Sequence, residues 1–170
     1  MRQCSECTLC CKLLPVKELG KPSNTKCEYQ GFKGCKIYNS RPGSCRKWSC
    51  SWLTDPATSE LSRPDRSHYV IDPTLDFIVV NEDGSEDIKI PVLQIWCDAK
   101  HPRAVIEDNK LLDMLDENLI IALVRYNSHD GFVMFPPSRS KNGKWNYKRS
   151  NLVLAEHTKE ELAEVFGCPM

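Results

Sequence analysis

Long apolar runs are missing from this 170-residue chain. No stretch approaches 18 consecutive apolar residues, so no transmembrane helix is predicted. The opening residues lack a basic segment followed by an apolar one. No secretory signal is therefore expected, and the expected location is cytoplasmic. Histidine is scarce, and its four copies, His68, His101, His129 and His157, are scattered. The patterns G-x-S-x-G, H-E-x-x-H, Walker A and G-x-G-x-x-G do not occur, so the familiar hydrolase, zinc-protease and nucleotide-binding chemistries have no signature. Asp72, Asp76, Asp98 and Asp113 show no paired-carboxylate spacing. Net charge is zero, and there is neither an internal repeat nor a low-complexity tract.

Cysteine is what the chain has in excess. There are ten, and eight lie in residues 1–50: Cys4, Cys7, Cys10, Cys11, Cys27, Cys35, Cys45 and Cys50. Cys97 and Cys168 stand alone, Cys97 in an apolar run that marks it as a buried, inert thiol. An eight-cysteine block in a secreted mini-protein would suggest four disulfides. Without an export signal, metal ligation is the better reading. The same fifty residues carry ten Lys and Arg against three Glu, an excess of seven positive charges that the other 120 residues cancel. Thiolates bound to metal offset such an excess, and nearby cations lower thiol pKa and favour ligation. A nucleic-acid surface is the competing explanation.

Metal sites need several soft donors within a few ångströms. Zinc takes four tetrahedral Cys or His ligands, often beginning from a C-x2-C knuckle. C-x2-C-x2-C wraps three thiolates around one iron–sulfur cubane, the fourth ligand coming from elsewhere. Cys4, Cys7 and Cys10 have that spacing. Cys11 follows at once, and adjacent side chains tend to diverge, which sends it to a second site or leaves it unligated. Cys27, Cys35, Cys45 and Cys50 are candidates for the remaining ligands, with Cys168 a remote one. Eight thiols allow two zinc sites, one cubane plus a zinc or a thiol pair, or one cluster with spare thiols. The front spacing favours a cubane, while the lack of a local Cys-Pro fourth ligand counts against it. Pro42 fixes a turn that holds Cys45. Arg41 and Arg46 are candidates to hydrogen-bond thiolates or sulfide around a cofactor. Tyr38 and Trp48 read as core of a module short of apolar residues. His68 is the histidine nearest the block in sequence.

"CSECTLCC", followed by "CEYQGFKGCKIYNSRPGSCRKWSC", resembles the CxxCxxCC family, a zinc- or iron-chelating domain. The shared pattern is C-x2-C-x2-CC and then G-C-x-I-Y-x-x-R-P-x-x-C-R-x-W-x-C, over about residues 4–50, with a weaker echo at "RPDRS" (63–67). The resemblance implies that all eight cysteines are metal-ligand candidates and that the cofactor is an iron–sulfur cluster or zinc. It implies a bacterial protein of undefined role.

Residues 1–50 are rich in loop-forming types and bury too little apolar surface to fold without staples. The expected fold class is α+β: a small Cys-rich, metal-stapled module over 1–52, packed as one unit on an antiparallel sheet with one or two helices over 53–170. Residues 51–67 read as a connection with one short helical turn. Strands are expected at 75–80, 88–97, 120–126 and 131–135. The turn signal at 82–87 makes the first two a hairpin, and Pro91 demotes the start of the second to an edge or bulge. Leu111, Leu112, Leu115 and Leu119 give one apolar face to a helix over 107–119. Asn142-Gly143 signals a hairpin. A short strand is expected over 151–157 and a capped helix over 158–166, stopped by Gly167. The segment 138–149 interleaves Arg139, Lys141, Lys144, Lys148 and Arg149 with Trp145 and Tyr147. That composition suits nucleic acid, although a solvated hairpin with lysines on its edge accounts for it better.

The functional expectation is a metalloprotein carrying a [4Fe–4S]-type cluster with a redox or substrate-binding role and a protein redox partner. The alternatives are a structural zinc protein acting as an interaction or nucleic-acid adaptor, and an iron or zinc carrier. Nothing in the sequence names a catalytic residue, and no membrane partner is expected.

Overall fold

The computed structural model of the chain describes residues 2–4, 6–81, 88–149 and 156–158. The turn expected at 82–87, the helix expected beyond Thr158 and Cys168 lie outside the described residues. The fold is α+β. Among the described residues no helix is long and apolar enough to cross a membrane.

The first fifty residues hold only short elements. Helix α1 spans Leu9–Leu13, strands β1 (Gln30–Gly31) and β2 (Gly34–Cys35) form a small hairpin, and α2 spans Gly43–Lys47. The hairpin turns on Phe32 and Lys33. A Cβ on Gly31 would stand 3.1 Å from the Gly34 carbonyl oxygen, and Gly34 sits at φ 127°, so this tight reversal needs glycine at both positions. Two further short helices, α3 (Ser51–Thr54) and α4 (Pro64–Ser67), fill the connection where one helical turn was expected.

The remainder is built on a six-stranded sheet. Its strands are β3 (Tyr69–Asn81), β4 (Ile88–Cys97), β5 (Ala122–Arg125), β6 (Gly131–Phe135), β7 (Asn146–Arg149) and β8 (Glu156–Thr158), in the order β7-β6-β5-β4-β3-β8. The β3–β4, β5–β6 and β6–β7 pairs are antiparallel, as expected of hairpins. The β4–β5 and β3–β8 pairs are parallel, so the sheet is mixed. Helix α5 (Asn109–Glu117) supplies the crossover that a parallel β4–β5 pair requires. Pro91 lies opposite Phe77, in the part of β4 that precedes its pairing with β5 from Leu93 onward. That stretch is an edge on the β5 side, where a residue without an N–H does no harm. Asn142-Gly143 sits within a longer β6–β7 connection rather than a two-residue hairpin, with Gly143 at φ 61°.

Alternation along the strands gives the sheet two apolar faces. Tyr69, Ile71, Ile95, Cys97, Ala122, Val124 and Met134 share a cluster with Leu111 and Leu115 of α5. On the opposite face, Val70 and Trp96 pack with Leu13 of α1 and Cys50, with Leu9, Cys10, Trp48 and Trp52 around them. The cysteine-rich segment is therefore seated directly on the sheet.

Asp108 caps α5, accepting from the Leu111 N–H at 3.2 Å, and also accepts from the buried Tyr69 hydroxyl at 2.8 Å. Asp108→Ala is expected to cost about 2 kcal/mol, from the lost cap and an unpaired buried hydroxyl. Urea unfolding measures it, and a loss below about 0.5 kcal/mol would mean that neither bond stabilises the helix on the sheet.

Candidate metal centre

Each group of thiols is placed by a different short element. Cys4 and Cys7 lie in the turn before α1, closed by a Cys7 N–H to Cys4 carbonyl bond of 2.7 Å. Cys10 and Cys11 are on α1, Cys45 is on α2, and Cys50 is the residue that precedes α3. Cys27 lies in a loop, and Cys35 is on β2. All nine described cysteines are free thiols.

Their mutual fields show which are near one another. The Cys50 thiol is raised mainly by burial, and also by Cys4 and Cys7. Cys10 feels Cys7 and Cys50. Cys45 feels Cys11 and Cys27. Seven cysteines from separate segments thus form a continuous set, in which Cys11 also acts on Cys4, and Cys10 and Cys50 are the members that pack against the sheet. Cys35 is half-buried in the hairpin beside them. The expected divergence of Cys10 and Cys11 is not seen, because their side chains hydrogen-bond. The Cys10 thiol donates to Cys11, which raises Cys10 and, helped by Lys21 and Arg41, lowers Cys11 to about 7 against the desolvation that opposes it.

A buried lysine stands among these sulfurs. Lys21 donates to the carbonyl oxygens of Lys12, Leu14 and Pro22 at 3.1, 2.5 and 3.0 Å. Burial lowers its pKa, while the fields of Cys27, Cys11, Cys45 and Cys10 act to keep it charged. It ties the end of α1 to the following loop and puts a fixed cation against the thiols. Arg41, whose guanidinium stacks 3.6 Å from the Tyr38 ring centroid, reaches Cys4 and Cys11 electrostatically. Arg46, the other expected tuning residue, is exposed in the last turn of α2. The sequence reading did not find Lys21, Arg63 or Asp65. The Asp65 backbone N–H hydrogen-bonds the Cys7 sulfur, and Arg63 acts on Cys4. Both belong to "RPDRS", which had drawn notice only as a weak echo of the family pattern. Trp48 lies at the seam with the sheet and donates from its indole N–H to Asp72 at 3.1 Å.

A tetrahedral zinc with Zn–S bonds of about 2.3 Å holds its sulfurs about 3.8 Å apart. Among the described residues no three cysteine sulfurs lie within 4.8 Å of one another. Ligands of a cubane sit on different iron atoms and stand farther apart. The buried indole N–H of Trp96 has no hydrogen-bond partner, and it lies in the cluster that contains Cys50 and Cys10. A donor left unpaired there is the kind that thiolate or sulfide accepts from.

The group that does lie within 4.8 Å is His68, Asp98 and His101. His129, by contrast, is exposed in the β5–β6 turn. No family model, curated protein or solved structure matches the chain.

Proposed function

We propose that residues 2–50 form an iron–sulfur module of the CxxCxxCC type and that Cys4, Cys7, Cys10 and Cys50 are the ligands of a [4Fe–4S]-type cluster. The observation that carries this reading is that Cys4 and Cys7 act on Cys50, and Cys7 and Cys50 on Cys10, with Cys10 and Cys50 packed on one face of the sheet, so that three thiols at cubane spacing meet a fourth from a distant segment. Cys11, Cys27 and Cys45, with Cys35 in the adjoining hairpin, form the donor set of a second metal or a thiol reserve. When bound, the cluster supplies one-electron transfer or a Lewis-acidic iron. The chain supplies the rest. The Asp65 N–H bonds the Cys7 sulfur, the unpaired Trp96 N–H is left for a cluster sulfur to accept, and Lys21, Arg41 and Arg63 compensate thiolate charge. Val70 and Trp96 of the sheet, with Leu13 of α1, keep water from one side. Exposed cations of the module, Lys33, Arg46 and Lys47 among them, suit an acidic protein partner for electron exchange.

Protein purified without oxygen is expected to be brown, with iron and acid-labile sulfide near four of each per chain. Colourless protein holding one or two zinc ions would overturn the cluster and make the module a structural zinc scaffold.

A further inference from the structure

The cysteines are not the chain's only metal donors. We infer that His68, Asp98 and His101 form a second, sulfur-free site for a divalent first-row transition-metal ion. The inference stands independently of what the thiols hold. The donor atoms of the three residues lie within 4.8 Å of one another, and a tetrahedral ion with bonds of about 2.1 Å holds its donors about 3.4 Å apart, so assembly needs a contraction of no more than about 1.4 Å. Two imidazoles and one carboxylate are the donor set that zinc and iron(II) accept with further positions open, and one that calcium and magnesium do not favour.

The local backbone fixes two of the three residues. His68 ends α4 in the left-handed conformation, φ 62°, at a position where glycine is usual. Its carbonyl accepts the Asp98 N–H at 2.9 Å, which locks the start of β3 to the end of β4. Asp98 is 4% exposed, and its Oδ1 accepts the Lys100 N–H at 3.0 Å, so the carboxylate is oriented from behind as ligating carboxylates are. His101 follows in the same turn, its N–H bonded to the Asp98 carbonyl at 2.8 Å, and is exposed. The two imidazole rings stack with centroids 3.7 Å apart and planes 7° from parallel. A metal binds an imidazole in the ring plane, so binding requires one ring to turn out of the stack. His101, being exposed, is free to do so.

Lys12 holds the place of the ion. Its ammonium is paired with Asp98 Oδ2, and it comes from α1, directly after Cys11. Asn24, from the same cysteine-rich segment, donates to the Cys97 carbonyl at 3.0 Å and accepts from the Ala99 N–H at 2.9 Å. The turn that carries Asp98 and His101 is thereby clamped by the cysteine module, and the module's own lysine competes with a cation for the carboxylate. Entry of an ion displaces Lys12 from Oδ2, which links occupancy of this site to the seating of α1.

The test is a cobalt(II) titration of tag-free, full-length protein that already carries the metal it was purified with. One further cobalt(II) per chain is expected, with visible d–d bands and without the near-ultraviolet band of thiolate-to-cobalt charge transfer. His101→Ala, at an exposed position, should weaken this binding at least about tenfold. His68→Asn, which keeps a residue tolerant of the left-handed backbone, should do the same, and Lys12→Met should tighten it severalfold. Absence of the extra cobalt, equal binding by His101→Ala and His68→Asn, or a thiolate charge-transfer band on the added ion would each overturn the site. Unchanged or weaker binding by Lys12→Met would overturn the competition.

Discussion

A chain carrying Cys4→Ser, Cys7→Ser and Cys10→Ser is expected to purify without iron and sulfide and to lose the ordered structure of its first fifty residues. The reason is the smallness of the elements there. Helices α1 and α2 have five residues each, and β1 and β2 have two. None is long enough to be stable in water alone. Metal-thiolate binding contributes on the order of 10 kcal/mol to folding in small thiol-rich domains, comparable to the whole stability of an ordinary domain. The sheet and α5 have their own apolar cluster and should persist, so circular dichroism should fall in part while the strand signal stays. Cys97→Ser is the control. Cys97 is fully buried on the α5 face and burial pushes its thiol up to about 12, so its loss should lower stability without changing metal content. Full metal content and full stability in the triple variant would rule out the ligand assignment.

Trp96→Ala is expected to cost about 3–5 kcal/mol and to release the cysteine module from the sheet. Trp96 is 6% exposed and packs against Leu13, Val70 and Cys50, so its removal leaves a cavity in the apolar seam between the module and the sheet. Trp96→Phe separates packing from hydrogen bonding. It keeps most of the apolar contact and removes only an N–H that has no partner within the protein. Its stability should change by less than about 1.5 kcal/mol. If that N–H donates to a cluster sulfur, the reduction potential should shift negative in Trp96→Phe, because a hydrogen bond to sulfur favours the more negative, reduced state. An unmoved potential would mean that the indole N–H serves no cofactor.

The strands and α5 were legible because their signals are local. β4 covers the apolar run from Ile88 to Cys97, and α5 follows the Leu111–Leu115 spacing from an Asp108 cap. Strand β3 starts earlier than expected, at Tyr69, because pairing of Tyr69, Val70 and Ile71 with β4 carries it across Asp72-Pro73-Thr74 by a register irregularity. Long-range pairing overrode what a proline-containing segment suggests. The parallel β4–β5 and β3–β8 pairs were not readable, since strand direction depends on where a crossover returns and not on strand composition. At the metal centre the thiols could be named from their spacing, but not their grouping. Cys50 joins Cys4 and Cys7 only because α3 and α1 both dock on β3. His68 and His101 lie 33 positions apart, and only the antiparallel β3–β4 pair, which sets Tyr69 opposite Cys97, brings their flanking turns together.

That seam also sets an order of events during synthesis. Trp96 is made 46 residues after Cys50, which at about 5–20 residues per second is a delay of roughly 2–9 s. The exit tunnel delays both segments alike, so for an interval of that length every thiol of the first fifty residues has emerged while the strand that will cover them has not. Cofactor delivery to the nascent segment is open then and hindered once β4 closes over it, so the yield of loaded protein should depend on metal supply during translation more than on metal added afterwards.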